Sequence, residues 1–188
     1  TEADCERLLA PLMQAVRQRL GAHVYGVDMG SPERHAVQAL TRRRLTVSAA
    51  ESCTGGLIAK RLTDVPGASA AFLGGVVSYT NDVKHGVLGV PEALLQQYGA
   101  VSEPVAKAMA EGARRITGSS LALSVTGLAG PDGDHRGNPV GTVYIGLAGA
   151  GGTQVTQLFL KGDRKSIRQQ AADHAFALLN KYLQEINP

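Results

Sequence analysis

The sequence predicts a three-layer α/β/α sandwich with a mixed, mostly parallel sheet, preceded by an N-terminal helical extension. Three observations carry that expectation. Short β-branched or apolar runs alternate with stretches of helical periodicity, the pattern of an α/β domain. Three of those runs end in polar segments, and two of these lead straight into helix, as in a sheet with helical crossovers. The 188 residues, 44% hydrophobic and 19% charged, are enough for one globular core.

The elements follow in order. Leu8, Leu9, Leu12, Val16 and Leu20 recur at helical spacing, so residues 4–20 are expected as a helix that Gly21 ends. Residues 22–31 read as a connector or small hairpin, with Ser31 as the N-cap of a second helix over 32–43. We therefore set residues 1–31 apart as an extension and take 32–188 as the domain. Residues 45–50 form a strand, 51–56 a turn and 57–62 a helix. Residues 72–79 form the second strand, and 81–88 and 91–98 short helices. Ser102 should N-cap a longer helix reaching Ile116, with Glu103 and Pro104 in its favoured first turn. Residues 121–126 form the third strand. Residues 142–148 and 154–160 read as a hairpin, and Asp163 as the cap of a last helix through Leu183. No internal repeat or low-complexity tract is present.

Composition excludes several classes. The net charge of +3 is small and scattered, and Arg42-Arg43-Arg44, the densest run, has no neighbouring aromatics. It reads as a solvated helix end rather than a nucleic-acid patch. Cys5 and Cys53 lie too far apart to suggest a disulfide framework or a metal site. Asp132-Gly133-Asp134 lacks the remaining ligands of a calcium loop and reads as a solvated turn. No apolar run is long enough to span a bilayer and no segment looks like a signal peptide, so cytoplasm is the expected compartment.

The chemistry is expected where polar segments follow strands: 51–56, 79–84 and 126–131, the first and last of them carrying glycines. If those strands are parallel neighbours, the segments converge on one pocket beyond their C-terminal ends. Ser52-Cys53-Thr54-Gly55-Gly56 leads into a helix whose N–H groups could receive a phosphate or an oxyanion; a plain turn capped by Ser52 or Thr54 fits the spacing equally. Tyr79 and Lys84 lie five residues apart. A desolvated lysine there would lose its proton near neutral pH and activate a serine, the plain alternative being a surface lysine. Cys53 competes with Ser52 as nucleophile, with His85 or His135 as base, or is a packed small residue. His23, His35 and His174 are expected on connector or helix surfaces. Glu51 and Asp132 are the nearest acids and form no carboxylate pair.

The ordered series Ala50-Glu51-Ser52-Cys53-Thr54-Gly55-Gly56, Thr63-Asp64-Val65-Pro66-Gly67, Gly74-Gly75-Val76-Val77-Ser78-Tyr79, Tyr98-Gly99-Ala100-Val101-Ser102-Glu103, Val125-Thr126-Gly127, Ala129-Gly130-Pro131, Pro139-Val140-Gly141-Thr142-Val143 and Gly162-Asp163-Arg164 resembles the CinA C-terminal domain family. The resemblance implies hydrolysis of the carboxamide of nicotinamide mononucleotide to nicotinate mononucleotide and ammonia, in pyridine nucleotide salvage. It implies Ser52 as nucleophile, Lys84 as base and Tyr79 as their partner. Thr54, Gly55 and Gly56 would supply donors, and Thr126, Gly127, Gly130 and Thr142 would line the ribose-phosphate side. No metal or cofactor is implied; the expected partners are a small-molecule nucleotide and further copies of the chain, with neither membrane nor nucleic acid. Residues 20–26 resemble the segment joining this domain to a preceding one, so the chain is expected to be an excised domain or a stand-alone form that kept the connector. The alternative function is a catalytically silent nucleotide- or partner-binding module linked to competence and DNA-damage response.

Overall fold

The computed structural model describes residues 1–21 and 30–186, without the side chains of residues 2 and 3. The elements are α1 (Glu2–Leu20), α2 (Pro32–Arg42), β1 (Val47–Glu51), α3 (Leu57–Thr63), a 3₁₀ turn (Ala68–Ala70), β2 (Phe72–Val77), α4 (Asn81–Gly86), α5 (Glu92–Tyr98), α6 (Glu103–Thr117), β3 (Leu121–Gly127), β4 (Thr142–Gly149), β5 (Gly152–Phe159) and α7 (Arg164–Glu185). Most of the connector expected over residues 22–31 lies outside the described residues.

The strands form one sheet in the order β2-β1-β3-β4-β5. β1 runs parallel to both β2 and β3, β4 is antiparallel to β3, and β5 is antiparallel to β4. Four strands therefore point one way and β4 alone is reversed, which is the mixed, mostly parallel sheet expected. β1 and β3, at the centre of the parallel part, are buried on both faces and so are nearly continuous in small and apolar residues.

Side-chain alternation sorts those strands between two cores. Val47 and Ala49 of β1, with Leu121, Leu123 and Val125 of β3, face a cluster completed by Leu40 of α2, Ile58 and Leu62 of α3, and Ala172, Phe176 and Leu179 of α7. Arg61 ties the three helices of that layer, pairing with Glu33 and Asp173 and lying 4.8 Å from the centre of the Phe176 ring. On the other face Ala50 and Ala122 meet Val105 and Met109 of α6. Small residues let α6 lie close there: a Cβ at Gly146 would stand 2.5 Å from Ser124 Oγ and 3.0 Å from Ala106 O. Ser124 Oγ donates to that same Ala106 carbonyl at 2.6 Å.

Three details differ from the sequence reading. Ser102 occupies the N-cap of α6, but its hydroxyl donates to Gly99 O, so it braces the preceding turn instead of capping. His35 is buried, not on a helix surface; burial, with Arg42 and Arg43 nearby, lowers its pKa. The apolar positions of α1 are helical as expected, yet Leu8, Leu9, Leu12 and Leu20 are at least half exposed among the described residues. Asp163 does cap α7, accepting from Ser166 N at 2.7 Å.

Candidate active site

β2, β1 and β3 are parallel neighbours, so segments 51–56, 79–84 and 126–131 leave the sheet at the same end. The ladder extends one residue beyond β1 and β2. Ser52 N–H donates to Val125 O at 2.9 Å, and Ser78 N–H to Glu51 O at 2.8 Å. Ser52 and Ser78 are therefore fixed by sheet geometry rather than carried on loose loops.

Glu51 is almost wholly buried. Its carboxylate turns back under the start of α3, where Oε2 accepts from Gly56 and Ile58 N–H, each at 3.0 Å, and Oε1 from Ala59 N–H at 2.8 Å. These are amides that the first turn of a helix leaves without intrahelical partners, and a negative charge is favoured there. Gly55 N–H donates to Ser52 O at 3.1 Å. The amides of Gly55 and Gly56, expected to face a ligand, are thus engaged within the turn. Gly56 adopts φ +92°, a left-handed conformation that favours glycine. Thr54 is fully buried and its hydroxyl has no hydrogen-bond partner among the described residues.

Lys84 sits on α4, whose N-cap Thr80 accepts from Val83 N–H. It is among the largest fully buried side chains of the described residues, which removes the surface-lysine alternative. Its Nζ lies 3.2 Å from Ser52 Oγ and donates to Ser78 O at 2.7 Å. Burial disfavours the charged ammonium and lowers the pKa to about 8, against a small opposing pull from Cys53. The amine is thus partly neutral near pH 7 and stands beside a serine hydroxyl.

Cys53, next to Ser52, packs into the core below α3, and burial pushes its thiol up to about 11. That thiol stays protonated and unreactive near neutral pH. His85 and His135, the bases considered for it, instead line a cleft of about 450 Å³ beside α4, with Asn81, Leu95 and Leu128. His85 Nδ1 lies 2.9 Å from Val90 O, to which it donates in the Nδ1-protonated tautomer.

The other expected site residues are distributed as follows. Tyr79 is more than half exposed and its hydroxyl accepts from Arg164 Nη2 at 2.9 Å; no bond joins it to Ser52 or Lys84 among the described residues. Arg164 Nη1 also donates to Gly130 O at 2.7 Å, linking segments 79–84 and 126–131. Thr126 and Thr142 are buried and donate to Ala100 O and Pro139 O, at 2.7 and 2.8 Å. Gly127 pairs with Val143 across the β3–β4 ladder. Two arginines enter the site that residue spacing does not single out: Arg164, present in the resemblance only within its glycine–aspartate–arginine motif, and Arg168. Arg168 donates to Cys53 O at 3.1 Å and to Thr54 O at 2.7 Å. The available signal is two arginines one helical turn apart at the start of the last helix.

Fold and site define an α/β domain with a serine and a buried lysine paired at the C-terminal ends of its parallel strands. The chain belongs to the CinA C-terminal domain family, whose model matches residues 30–183. It is 49% identical over 181 residues to a putative competence-damage inducible protein of Desulforudis audaxviator, covering 96% of this chain and 44% of that one. It is 47% identical over 178 residues to a CinA-like protein of Desulfotalea psychrophila, covering 95% and 43%. The chain thus spans under half the length of these curated relatives. Among solved structures it is similar to the competence damage-inducible protein A (ComA) of Klebsiella pneumoniae, with a TM-score of 0.81 and 31% identity over 83% of this chain and 97% of that one. It is also similar to the competence/damage inducible protein CihA of Agrobacterium tumefaciens, with a TM-score of 0.77 and 37% identity over 85% and 99%. No helix among the described residues is long and apolar enough to cross a membrane.

Proposed function

We propose that the chain hydrolyses the carboxamide of nicotinamide mononucleotide, releasing ammonia and nicotinate mononucleotide, with Ser52 as nucleophile and Lys84 as base. The observation that carries this reading is the 3.2 Å approach of Lys84 Nζ to Ser52 Oγ at a site where burial lowers the amine's pKa. A buried neutral amine is suited to take a serine proton near pH 7.

In the first half-reaction the Ser52 hydroxyl proton passes to Lys84 as Oγ attacks the carboxamide carbon. The tetrahedral oxyanion collapses, the C–N bond breaks, and the Lys84 ammonium protonates the departing nitrogen, so ammonia leaves an acyl-Ser52 ester. Water then gives a proton to Lys84 and attacks the ester, and Lys84 returns that proton to Ser52 Oγ as the nicotinate nucleotide departs. Ser78 O, accepting from Nζ, holds the amine in line. The unpartnered Thr54 hydroxyl is available to the oxyanion. Arg164, beside Tyr79 and Gly130, is the cation we assign to the substrate phosphate.

The test is turnover by the purified chain, followed as ammonia and nicotinate mononucleotide in equal amounts. Ser52→Ala should abolish both.

A further inference from the structure

The nucleophile turn is gripped from its far side by α7. Arg168 Nε donates to Cys53 O at 3.1 Å and Nη2 to Thr54 O at 2.7 Å, so one planar guanidinium spans two consecutive peptide carbonyls. Such a fork fixes orientation as well as position, which a single ammonium does not. Position 55 is fitted to it: a Cβ on Gly55 would stand 3.3 Å from Arg168 Nη2.

The consequence follows from peptide geometry. In a trans peptide the carbonyl and the next N–H point in opposite directions. Holding Cys53 O against Arg168 therefore turns the Thr54 N–H to the opposite edge of the turn, away from the guanidinium. The neighbouring amides of Ser52, Gly55 and Gly56 donate to Val125 O, Ser52 O and Glu51. Among the described residues the Thr54 N–H donates to no group, and the Thr54 hydroxyl, on the same fully buried residue, is unpartnered too. Two adjacent donors without acceptors, two residues from a serine whose hydroxyl meets a lysine, are what a developing oxyanion requires.

We infer that Arg168 is a positioning residue that holds the Ser52–Thr54 turn so that Thr54 presents its N–H and hydroxyl to the oxyanion. It touches no substrate and acts through the peptide joining Cys53 and Thr54, whose N–H its charge also polarises. The inference rests on Ser52 being the nucleophile.

The experiment compares wild type, Arg168→Lys and Arg168→Ala in two assays: steady-state turnover of nicotinamide mononucleotide, and labelling of Ser52 by an aryl sulfonyl fluoride, read by mass spectrometry. In labelling, Ser52 Oγ bonds to sulfur, fluoride leaves and the hydroxyl proton goes to Lys84, so the reaction reports on the nucleophile and its oxyanion donors without the natural substrate. Thermal unfolding monitors the fold. In Arg168→Ala, kcat and labelling rate should both fall roughly 100- to 1,000-fold, the range for losing an oxyanion donor, while KM changes less than about threefold. Arg168→Lys should fall between. Added methylguanidinium should restore at least about tenfold of the lost rate in Arg168→Ala, since the site then regains its fork. A folded Arg168→Ala that labels within about twofold of wild type, or that loses only KM, would overturn the inference. A wild-type chain whose Ser52 takes no label would remove the nucleophile reading beneath it.

Discussion

Lys84 Nζ stands 3.2 Å from Ser52 Oγ, although the two residues are 32 positions apart and on different elements. Sheet order brings them together: β1 delivers Ser52, β2 pairs beside it, and α4 folds Lys84 back across the strand ends. No carboxylate bonds to the amine among the described residues, so its proton affinity is set mainly by burial.

Turnover should therefore follow Lys84. With the neutral amine as the proposed base, kcat/KM should rise about tenfold per pH unit and level near pH 8. A profile from about pH 6 to about pH 10 checks this. A rising limb centred near the histidine range would shift attention to His85 or His135.

The same burial should cost stability. Below pH 8 Lys84 is protonated in both folded and unfolded chains, and the folded state bears the full desolvation cost. Between 8 and 10.5 the unfolded chain binds the extra proton, so wild-type stability rises with pH across that window. Lys84→Met should be inactive yet more stable at pH 7 by about 1–2 kcal/mol, part of the gain being offset by leaving Ser78 O unpaired. Its advantage should shrink by roughly 3 kcal/mol as pH passes through the window. Paired urea melts at neutral and alkaline pH measure the difference; a gap independent of pH would contradict the lowered pKa.

Cys53 and Ser52 should separate cleanly. Ser52→Ala and Lys84→Ala should each lose at least about a thousandfold in kcat, and the double variant little more, because nucleophile and base act as a unit. Cys53→Ala removes a buried thiol pushed up to about 11 and should retain most turnover at a stability loss of about 1 kcal/mol. An active Ser52→Ala beside an inactive, folded Cys53→Ala would transfer the role to the thiol.

Glu51 should matter to both fold and rate. Glu51→Gln replaces a carboxylate oxygen that accepts helix amides with an amide donor. Losing charge-assisted bonds at a buried site should cost roughly 2–4 kcal/mol. Denaturant melts read the loss, and turnover should fall with it because Ser52 follows Glu51 directly. A variant as stable as wild type would mean that α3 does not depend on this cap.

Much of this architecture is legible in residue patterns, and what is not has a physical cause. β1, β2 and β3 announce themselves as apolar runs ending in polar turns, and their parallel adjacency is what makes the convergence of 51–56, 79–84 and 126–131 real. Ser52 and Lys84 stand out as residue types at strand ends. The burial of Lys84 does not, because a lysine four residues into a polar turn looks solvated until the sheet closes over it. Glu51 reads as a spare acid because its three amide partners lie five to eight residues ahead, in a helix whose start the acid itself helps define. Arg168 lies 115 residues from Cys53, and no local pattern links a helix surface to a distant turn. Tyr79 is near Lys84 in sequence, yet Arg164 claims its hydroxyl.

The central claim is that Ser52 and Lys84 together cleave a nucleotide carboxamide. Its most direct test is ammonia release when the purified chain is incubated with nicotinamide mononucleotide, beside Ser52→Ala prepared identically. The account predicts ammonia and nicotinate mononucleotide in equal amounts from wild type and neither from Ser52→Ala. A folded wild-type chain that releases no ammonia, or a Ser52→Ala that matches it, would contradict the account.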